Sequence, residues 1–242
     1  MREISIKAEE IFHIGGWPVT NALLLSTIAL LVLLAFGLVL KRKILLVPGK
    51  LQSIFELLAE SLLDLMDSVL GERKLSEKYL PLIATIFLFI LTSNWLGLFP
   101  VVGSIDIAEG GHIVPLFRAP SSDLNFTIAL AIISVFGVNF LGAFAIGAGK
   151  HLSKFFTLKN PIFSFVGLLE FVSEFIKIIS FSFRLFGNVF AGEVLLMIVG
   201  FLAPHVVPLP FLFLEVFVGF IQAFIFSMLT LVFLSMAVRE AH

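Results

Sequence analysis

Five apolar stretches, each long enough to cross a lipid bilayer, constrain this chain more than any other feature of its sequence. About 20 apolar residues of helix cross a membrane, where every backbone polar group needs an internal partner. The chain is 59% hydrophobic and 14% charged, whereas soluble domains are about 25% charged. We therefore predict one all-α integral membrane domain over residues 1–242. Its expected membrane segments are residues 19–40, 79–102, 123–149, 161–200 and 205–238.

A further segment, residues 49–70, has the pattern of an amphipathic helix. Apolar residues recur at helical spacing, and four acidic residues lie on the opposite face: Glu56, Glu60, Asp64 and Asp67. We expect this helix to lie on the cytoplasmic surface of the membrane. Acidic residues gain nothing from anionic lipid, so we interpret the acidic face as solvated, with contact to a partner protein as the alternative.

The basic residues predict how the chain is oriented. Cytoplasmic loops carry an excess of lysine and arginine. The loop at residues 103–122 contains one, Arg118, whereas the loops after the first and third apolar segments contain several: Lys41, Arg42, Lys43 and Lys50, then Lys150, Lys154 and Lys159. We expect several membrane crossings, with the N-terminus outside and the C-terminus in the cytoplasm. No transit segment is visible, so a bacterial inner membrane is the expected location.

The fourth apolar segment carries a polar stripe. A charge exposed to lipid at the bilayer centre costs about 2.5 to 3.5 kcal/mol, so such a stripe must face protein or water. A helix of about 40 residues is also about 60 Å long, which requires a steep inclination, a break near Gly187 or Gly192, or a start at the interface. Five polar residues fall within about 80° of one helix face: Glu170, Glu174, Lys177, Arg184 and Asn188.

The fourth and fifth segments are expected to form a long inclined hairpin that turns near Ala203 and Pro204. In an antiparallel hairpin, residues at equal depth have position numbers with a nearly constant sum. This rule predicts a close glycine crossing near mid-membrane and two carboxyl groups together on the outer side. The residues paired by depth are Arg184 with Gln222, Gly187 with Gly219, and Glu193 with Glu215.

These polar residues suggest a route for protons. Carboxyl groups suit proton relay because their surroundings can tune their proton affinity, whereas a guanidinium does not release its proton. Two polar patches would then reach the membrane centre from opposite sides of Arg184, and a moving carboxylate on a partner would carry the proton around it. The candidates for proton translocation are Arg184, Glu193, Glu215, Gln222, Asn188 and Glu170, with Glu174, Lys177, Ser180 and His205 as secondary candidates.

The composition argues against other functions. The net charge of -1 provides no basic face for nucleic acid, and the chain has no GxxxxGK[ST] motif, so we expect it to bind no nucleotide. There is no cysteine, and the five histidines lack ligand spacing, so we expect no metal or cofactor.

Four motifs in order resemble subunit a of the F-type ATP synthases, over about residues 47 to 242. They are VPGKLQSIFE, RAPSSDLNFTIALA, RLFGNVFAGE and IQAFIFSMLTLVFLSMAVREAH. The resemblance implies a non-catalytic stator subunit, embedded in lipid beside a rotating c-ring and peripheral-stalk b subunits. It also implies that Arg184 faces the ring carboxylate, with Glu170 near the cytoplasmic half-channel. The residues that it places around the outer half-channel are Asn188, Glu193, Glu215 and Gln222.

The chain departs from the family pattern at two positions. Glu215 stands where many members have histidine, and Ile178 stands where many have proline, so this sequence has no proline to bend the helix after Lys177. Two alternatives stay open at this point. One is a secondary transporter with a mid-membrane Arg/Glu binding site, although no second copy of the stripe is present. The other is a purely structural membrane subunit.

Overall fold

A computed structural model describes residues 8–42, 44–45, 48–100, 102, 105–109, 112–147, 149, 161–203 and 206–239. Most of them are helical. The helices are α1 (Asn21–Arg42), α2 (Lys50–Leu70), α3 (Arg73–Gly97), α4 (Leu124–Ile146), α5 (Pro161–Leu202) and α6 (Pro208–Arg239). A short 3₁₀ turn, Pro120–Ser122, precedes α4.

Five of the described helices, α1 and α3 to α6, are long and apolar enough to cross a membrane. Apolar side chains cover much of their outer surface, as for Phe136 and Phe140, which are 64% and 63% exposed. A chain with this surface requires a lipid environment, because soluble proteins rarely expose contiguous apolar patches of this extent. The predicted all-α integral membrane fold is confirmed.

Two short β-hairpins, which the sequence patterns did not predict, accompany the helices. Strands β1 (Glu10–Ile14) and β2 (Trp17–Thr20) pair antiparallel through a turn at Gly15 and Gly16, whose φ angles of 58° and 90° favour glycine. Strands β3 (Asp106–Glu109) and β4 (His112–Pro115) form the second hairpin. The Asn21 side chain donates to the Pro115 carbonyl at 3.3 Å, so the second hairpin is tied to the start of α1.

A tight corner joins α2 to α3. Gly71 adopts a left-handed conformation with φ of 76°, and its N–H donates to the Asp67 carbonyl at 2.8 Å, which ends α2. Helix α3 begins two residues later. The corner brings Met66 and Leu70 of α2 against Tyr79 and Ile83 of α3 in a buried apolar cluster. The C-terminal half of α2 is therefore packed against the bundle.

The acidic face of α2 is partly paired within the chain, rather than wholly solvated. The Arg73 guanidinium lies 2.8 Å from the Glu60 carboxylate, 3.3 Å from that of Asp64 and 2.9 Å from that of Asp67. The Ser76 hydroxyl and the Arg73 guanidinium hold the pKa of Asp67 below its usual value. One arginine thus closes the corner by attracting three carboxylates.

The core of the bundle lies between α3, α4, α5 and α6. Phe87 and Ile90 of α3 belong to one buried cluster with Leu130 of α4, Leu185 of α5 and Phe226 of α6. In a membrane, helices associate through close packing and hydrogen bonds, since lipid is as apolar as their side chains. This cluster joins the two helices of the hairpin, α5 and α6, to α3 and α4.

Two hydroxyl pairs tie α4 to both helices of the hairpin. The Thr127 and Ser182 hydroxyls lie 3.0 Å apart between α4 and α5, and those of Ser134 and Thr230 lie 2.7 Å apart between α4 and α6. All four residues are buried. These bonds join α5 and α6 through a common neighbour as well as through their own contact.

The long helix α5 is continuous over its 42 residues, from Pro161 to Leu202. At 1.5 Å per residue it is about 60 Å long, twice the thickness of the hydrocarbon core. The break considered at Gly187 or Gly192 is not present. Such a helix must incline in the membrane or extend beyond it.

Candidate functional site

The α5–α6 hairpin carries the polar residues that the sequence analysis selected. His205 lies outside the described residues. Within the described ranges, no group of three histidine, aspartate or glutamate residues is placed to hold a metal ion. The selected residues fall into three classes of exposure: Glu215 and Gln222 are buried, Glu170, Glu174, Lys177, Arg184 and Glu193 are half-buried, and Ser180 and Asn188 are exposed.

Arg184 makes only neutral contacts among the described residues. Its Nη2 donates to the Ser180 hydroxyl at 3.3 Å, and its guanidinium lies 6.0 Å from the centre of the Phe181 ring. The Asn188 side chain donates to the Arg184 carbonyl at 3.0 Å. The Arg184 Nη1 is buried and has no hydrogen-bond partner in the described part of the chain. Arg184 and Glu193 form no ion pair in the described part of the chain.

The surface of α5 beside Arg184 is open and lined by small residues. Ser180, Gly187, Asn188 and Ala191 are all exposed there. A Cβ atom placed on Gly187 would meet no described atom within 4 Å. The described residues therefore leave room for another helix to approach the arginine closely on this side.

Glu215 lies in the contact between α5 and α6, near the end of the hairpin where the two helices are joined. The residue is 8% exposed, and its carboxyl group lies against Gly192, where a Cβ atom would overlap it. Gly192 directly precedes Glu193 in α5. The structure thus places both carboxyl residues at the same level of the hairpin, and glycine provides the space that the Glu215 carboxyl occupies.

The predicted close crossing of Gly187 and Gly219 is wrong. Gly219 faces α3, where a Cβ atom on it would lie 3.2 Å from the Asn94 Cβ, and Gly187 faces open space. The depth rule finds residues at equal height, but it does not specify how each helix is rotated about its axis. The glycine that admits close approach between α5 and α6 is Gly192.

A polar node between α3 and α6 holds the segment of α6 that carries Glu215. The Asn94 side chain donates to the Gly219 carbonyl at 3.0 Å and accepts a bond of 2.6 Å from the Ser121 hydroxyl. The Trp95 indole N–H donates to the Val216 carbonyl at 3.1 Å. The sequence alone does not predict these partners of Asn94, because they are distant along the chain.

Arg118 also belongs to the site, although the sequence pattern linked it only to the orientation of the chain in the membrane. It is 7% exposed, and its Nε lies 3.9 Å from Glu193 Oε2. The same Nε donates to the Ser122 hydroxyl at 3.0 Å. The available signal was that Arg118 is the one basic residue in the loop at 103–122.

At the other end of α5, Glu174 and Lys177 form an ion pair. The Lys177 Nζ lies 2.7 Å from Glu174 Oε1, and the Asn139 side chain of α4 donates to Glu174 Oε2 at 3.0 Å. The ammonium also lies 4.5 Å from the centre of the Phe233 ring of α6. The Glu170 carboxylate, one turn away, makes no hydrogen bond or ion pair with any described residue. The Glu170 and Glu174 carboxylates therefore have different surroundings.

Comparisons with known proteins identify the family. Residues 23–235 match the family model described as ATP synthase A chain. The chain is 36% identical over 244 residues to ATP synthase subunit a of Campylobacter fetus subsp. fetus (strain 82-40), covering all of both chains. It is 31% identical to ATP synthase subunit a of Moorella thermoacetica (strain ATCC 39073 / JCM 9320), over 95% of this chain and 96% of the relative. The chain therefore belongs to the ATP synthase A chain family.

Proposed function

We propose that the chain is the proton-translocating stator subunit of an F-type ATP synthase, in which Arg184 separates two half-channels leading to a rotating c-ring. Family membership makes the chain a non-catalytic subunit of the membrane sector, acting in proton transport and ATP synthesis. Its apolar helices make it an integral membrane protein, and the compared relatives are bacterial. The roles of individual residues go further and belong to the proposal.

The observation that carries the proposal is the setting of Arg184. Its guanidinium contacts no carboxylate among the described residues, and it lies beside an exposed face of small side chains. A permanent charge in the membrane is costly unless a counter-charge or water compensates it. A carboxylate on an adjacent ring helix, approaching over Gly187 and Ala191, would supply that counter-charge.

Arginine suits a barrier between two proton routes better than lysine does. A guanidinium keeps its proton under all physiological conditions, whereas a desolvated lysine can lose its own. A proton therefore cannot pass through Arg184 from one side to the other. It crosses only when bound to a carboxylate that moves past the arginine.

The outer half-channel in this proposal is built around Glu193 and Glu215, with Gln222 and Asn188 closer to Arg184. Glu215 is supported by its buried position against Gly192, which brings its carboxyl to the level of Glu193. Two carboxyl groups at one level can exchange a proton directly or through a water molecule. They would deliver protons from outside to the ring.

The inner half-channel ends near Glu170. Glu174 is engaged by Lys177 and Asn139, which favours a structural role for this carboxylate in joining α5 to α4. Glu170 has no such partner among the described residues, which favours it over Glu174 for the proton route. In the synthesis direction, protons would leave past Glu170 after the ring carboxylate has met Arg184.

The driving energy is about 2.3 kcal/mol per elementary charge per 100 mV of membrane potential. Because the arginine blocks direct passage, this energy is released only when the ring rotates. The peripheral-stalk b subunits would hold the chain still against that rotation. We place the N-terminus outside and the C-terminus in the cytoplasm, as the basic residues predict.

The test is ATP-driven proton pumping by the whole complex in membrane vesicles, with Arg184→Ala and Arg184→Lys. We expect both variants to assemble and to lose coupled pumping. Passive proton leak, measured after removal of the soluble catalytic sector, should rise in Arg184→Ala. Normal pumping by either assembled variant would contradict the barrier role.

Arg73→Gln is the matched control, since it removes an arginine that pairs with carboxylates at the α2–α3 corner. We expect this variant to pump normally. Proton flux through the chain without ring subunits would instead favour the secondary transporter. Loss of assembly as the sole effect of both Arg184 variants would favour a structural subunit.

A further inference from the structure

Arg118 is a second buried arginine, on the side of the bundle where Glu193 and Glu215 lie. It precedes the 3₁₀ turn, and that turn holds its guanidinium: Nε donates to the Ser122 hydroxyl at 3.0 Å, and Nη2 to the Ser122 carbonyl at 3.3 Å. Ser122 is itself fully buried and donates to the Ala119 carbonyl at 2.9 Å. The guanidinium is therefore a positive charge fixed in position by a rigid turn.

The Glu193 carboxylate is the charged partner on α5. Its Oε2 lies 3.9 Å from the Arg118 Nε, is buried, and accepts no hydrogen bond from any described residue. This distance is too long for a direct hydrogen bond but short enough for charge attraction or for a bridging water. Among the described residues, the neighbouring elements also carry the charged groups Glu215, on α6, and Asp123, the N-cap of α4, which accepts from the Asn125 N–H at 3.0 Å.

A relay carboxylate must exist in both its protonated and its ionised form during each passage. The ionised form is costly in a low-dielectric region unless a positive charge or hydrogen-bond donors compensate it. Glu215 is itself acidic and provides no positive charge. Arg118 does provide one, because its guanidinium is held by Ser122 and lies 3.9 Å from Glu193 Oε2.

We propose that Arg118 is a positioning residue for proton uptake: it holds the Glu193 carboxylate in place and supplies a fixed positive charge beside it. This inference rests on the proposed function, because it assigns Glu193 to the proton route. It distinguishes two arginines with different tasks. Arg184 meets the partner's carboxylate, whereas Arg118 serves a carboxylate of the same chain.

The test is a double-mutant cycle on ATP-driven pumping by the assembled complex, with Arg118→Gln, Glu193→Gln and the double variant. We expect each single variant to slow pumping, and the double variant to pump at nearly the rate of Glu193→Gln alone. Residues that act on each other show non-additive effects of about twofold or more. If the rate of the double variant equals the product of the two single-variant effects, Arg118 acts independently of Glu193 and the inference is overturned.

Arg118→Lys supplies a second readout, because lysine keeps the charge but not the shape of the guanidinium. We expect it to restore most of the pumping lost in Arg118→Gln. If Arg118→Gln fails to assemble, Ser122→Ala decides, because it loosens the guanidinium while leaving it in the chain. Unchanged pumping in Ser122→Ala would then overturn the inference.

The outcomes separate this inference from the proposed function. If Glu193→Gln and Arg184→Ala slow pumping while Arg118→Gln does not, the inference about Arg118 fails and the proposed function stands. If neither Glu193→Gln nor Arg184→Ala affects pumping, the proposed function fails. Arg73→Gln again controls for the loss of an arginine that is paired elsewhere.

Discussion

Removing the Asn94 side chain should weaken the contact between α3 and α6 one helical turn from Glu215. Asn94 bonds the Gly219 carbonyl at 3.0 Å and the Ser121 hydroxyl at 2.6 Å, and it is 4% exposed. Hydrogen bonds between membrane helices contribute about 0.6 kcal/mol on average and up to about 1.7. Asn94→Ala removes two of them and leaves the buried Ser121 hydroxyl without this acceptor, which adds about 1 kcal/mol or more.

We therefore expect Asn94→Ala to lower the free energy of unfolding by about 2 to 4 kcal/mol. Ser121→Ala removes one bond and should cost about 0.6 to 1.7 kcal/mol. The 2.6 Å distance is short for a hydroxyl donor, so the coupling between the two residues should lie toward the upper end of that range.

The measurement is equilibrium unfolding in mixed detergent micelles for the two single variants and their double variant. Asn125→Ala is the matched control, because the described bond of that side chain is local, to Asp123 at 3.3 Å. It should change stability by less than about 0.5 kcal/mol. A coupling energy between Asn94 and Ser121 below about 0.3 kcal/mol would refute the argument, since independent sites are additive to that accuracy.

Two further predictions concern Gly192 and Asp67. Gly192→Ala should fold, because the atoms that its Cβ would overlap belong to the flexible end of Glu215, but the displaced carboxyl group should slow proton pumping. Gly200→Ala is the control and should pump normally, since a Cβ there meets no described atom within 4 Å. Equal pumping rates in the two variants would contradict the reasoning. Because the folded-state pKa of Asp67 lies below the usual value of about 3.9, its stabilising contribution is complete above about pH 4 and is lost as the pH falls. In Asp67→Asn, the unfolding temperature should fall less steeply than in the unaltered chain as the pH drops below about 4. An unchanged pH dependence in this range would contradict the role given to Asp67.

Much of the architecture was predictable because a membrane leaves few choices. Only helices long and apolar enough to span the bilayer satisfy their own backbone there, so hydropathy located the five long helices. The sequence pattern does not predict the β1–β2 hairpin, although Gly15 and Gly16 mark its turn. The hairpin is short and is followed directly by the long apolar segment that forms α1. The continuity of α5 through Gly187 and Gly192 was also undecided, since glycine permits a bend without requiring one.

Residue spacing was sufficient for some features of the site and insufficient for others. A helix rises by a constant amount per residue, so counting alone predicted that Glu193 and Glu215 lie at one level. Counting did not predict that Gly219 would turn toward α3 while Gly192 receives the Glu215 carboxyl. Rotation about a helix axis depends on contacts with every neighbouring helix.

The sequence by itself determined that this chain is a membrane protein with an arginine in a long polar-striped helix, because hydropathy and helical spacing are local properties. Only the tertiary structure decided which charges meet. Arg118 and Glu193 come from distant parts of the chain, as do Asn94 and Gly219, and Asn139 and Glu174. These contacts arise from the packing of α3, α4, α5 and α6 together, and no spacing within a single helix encodes them.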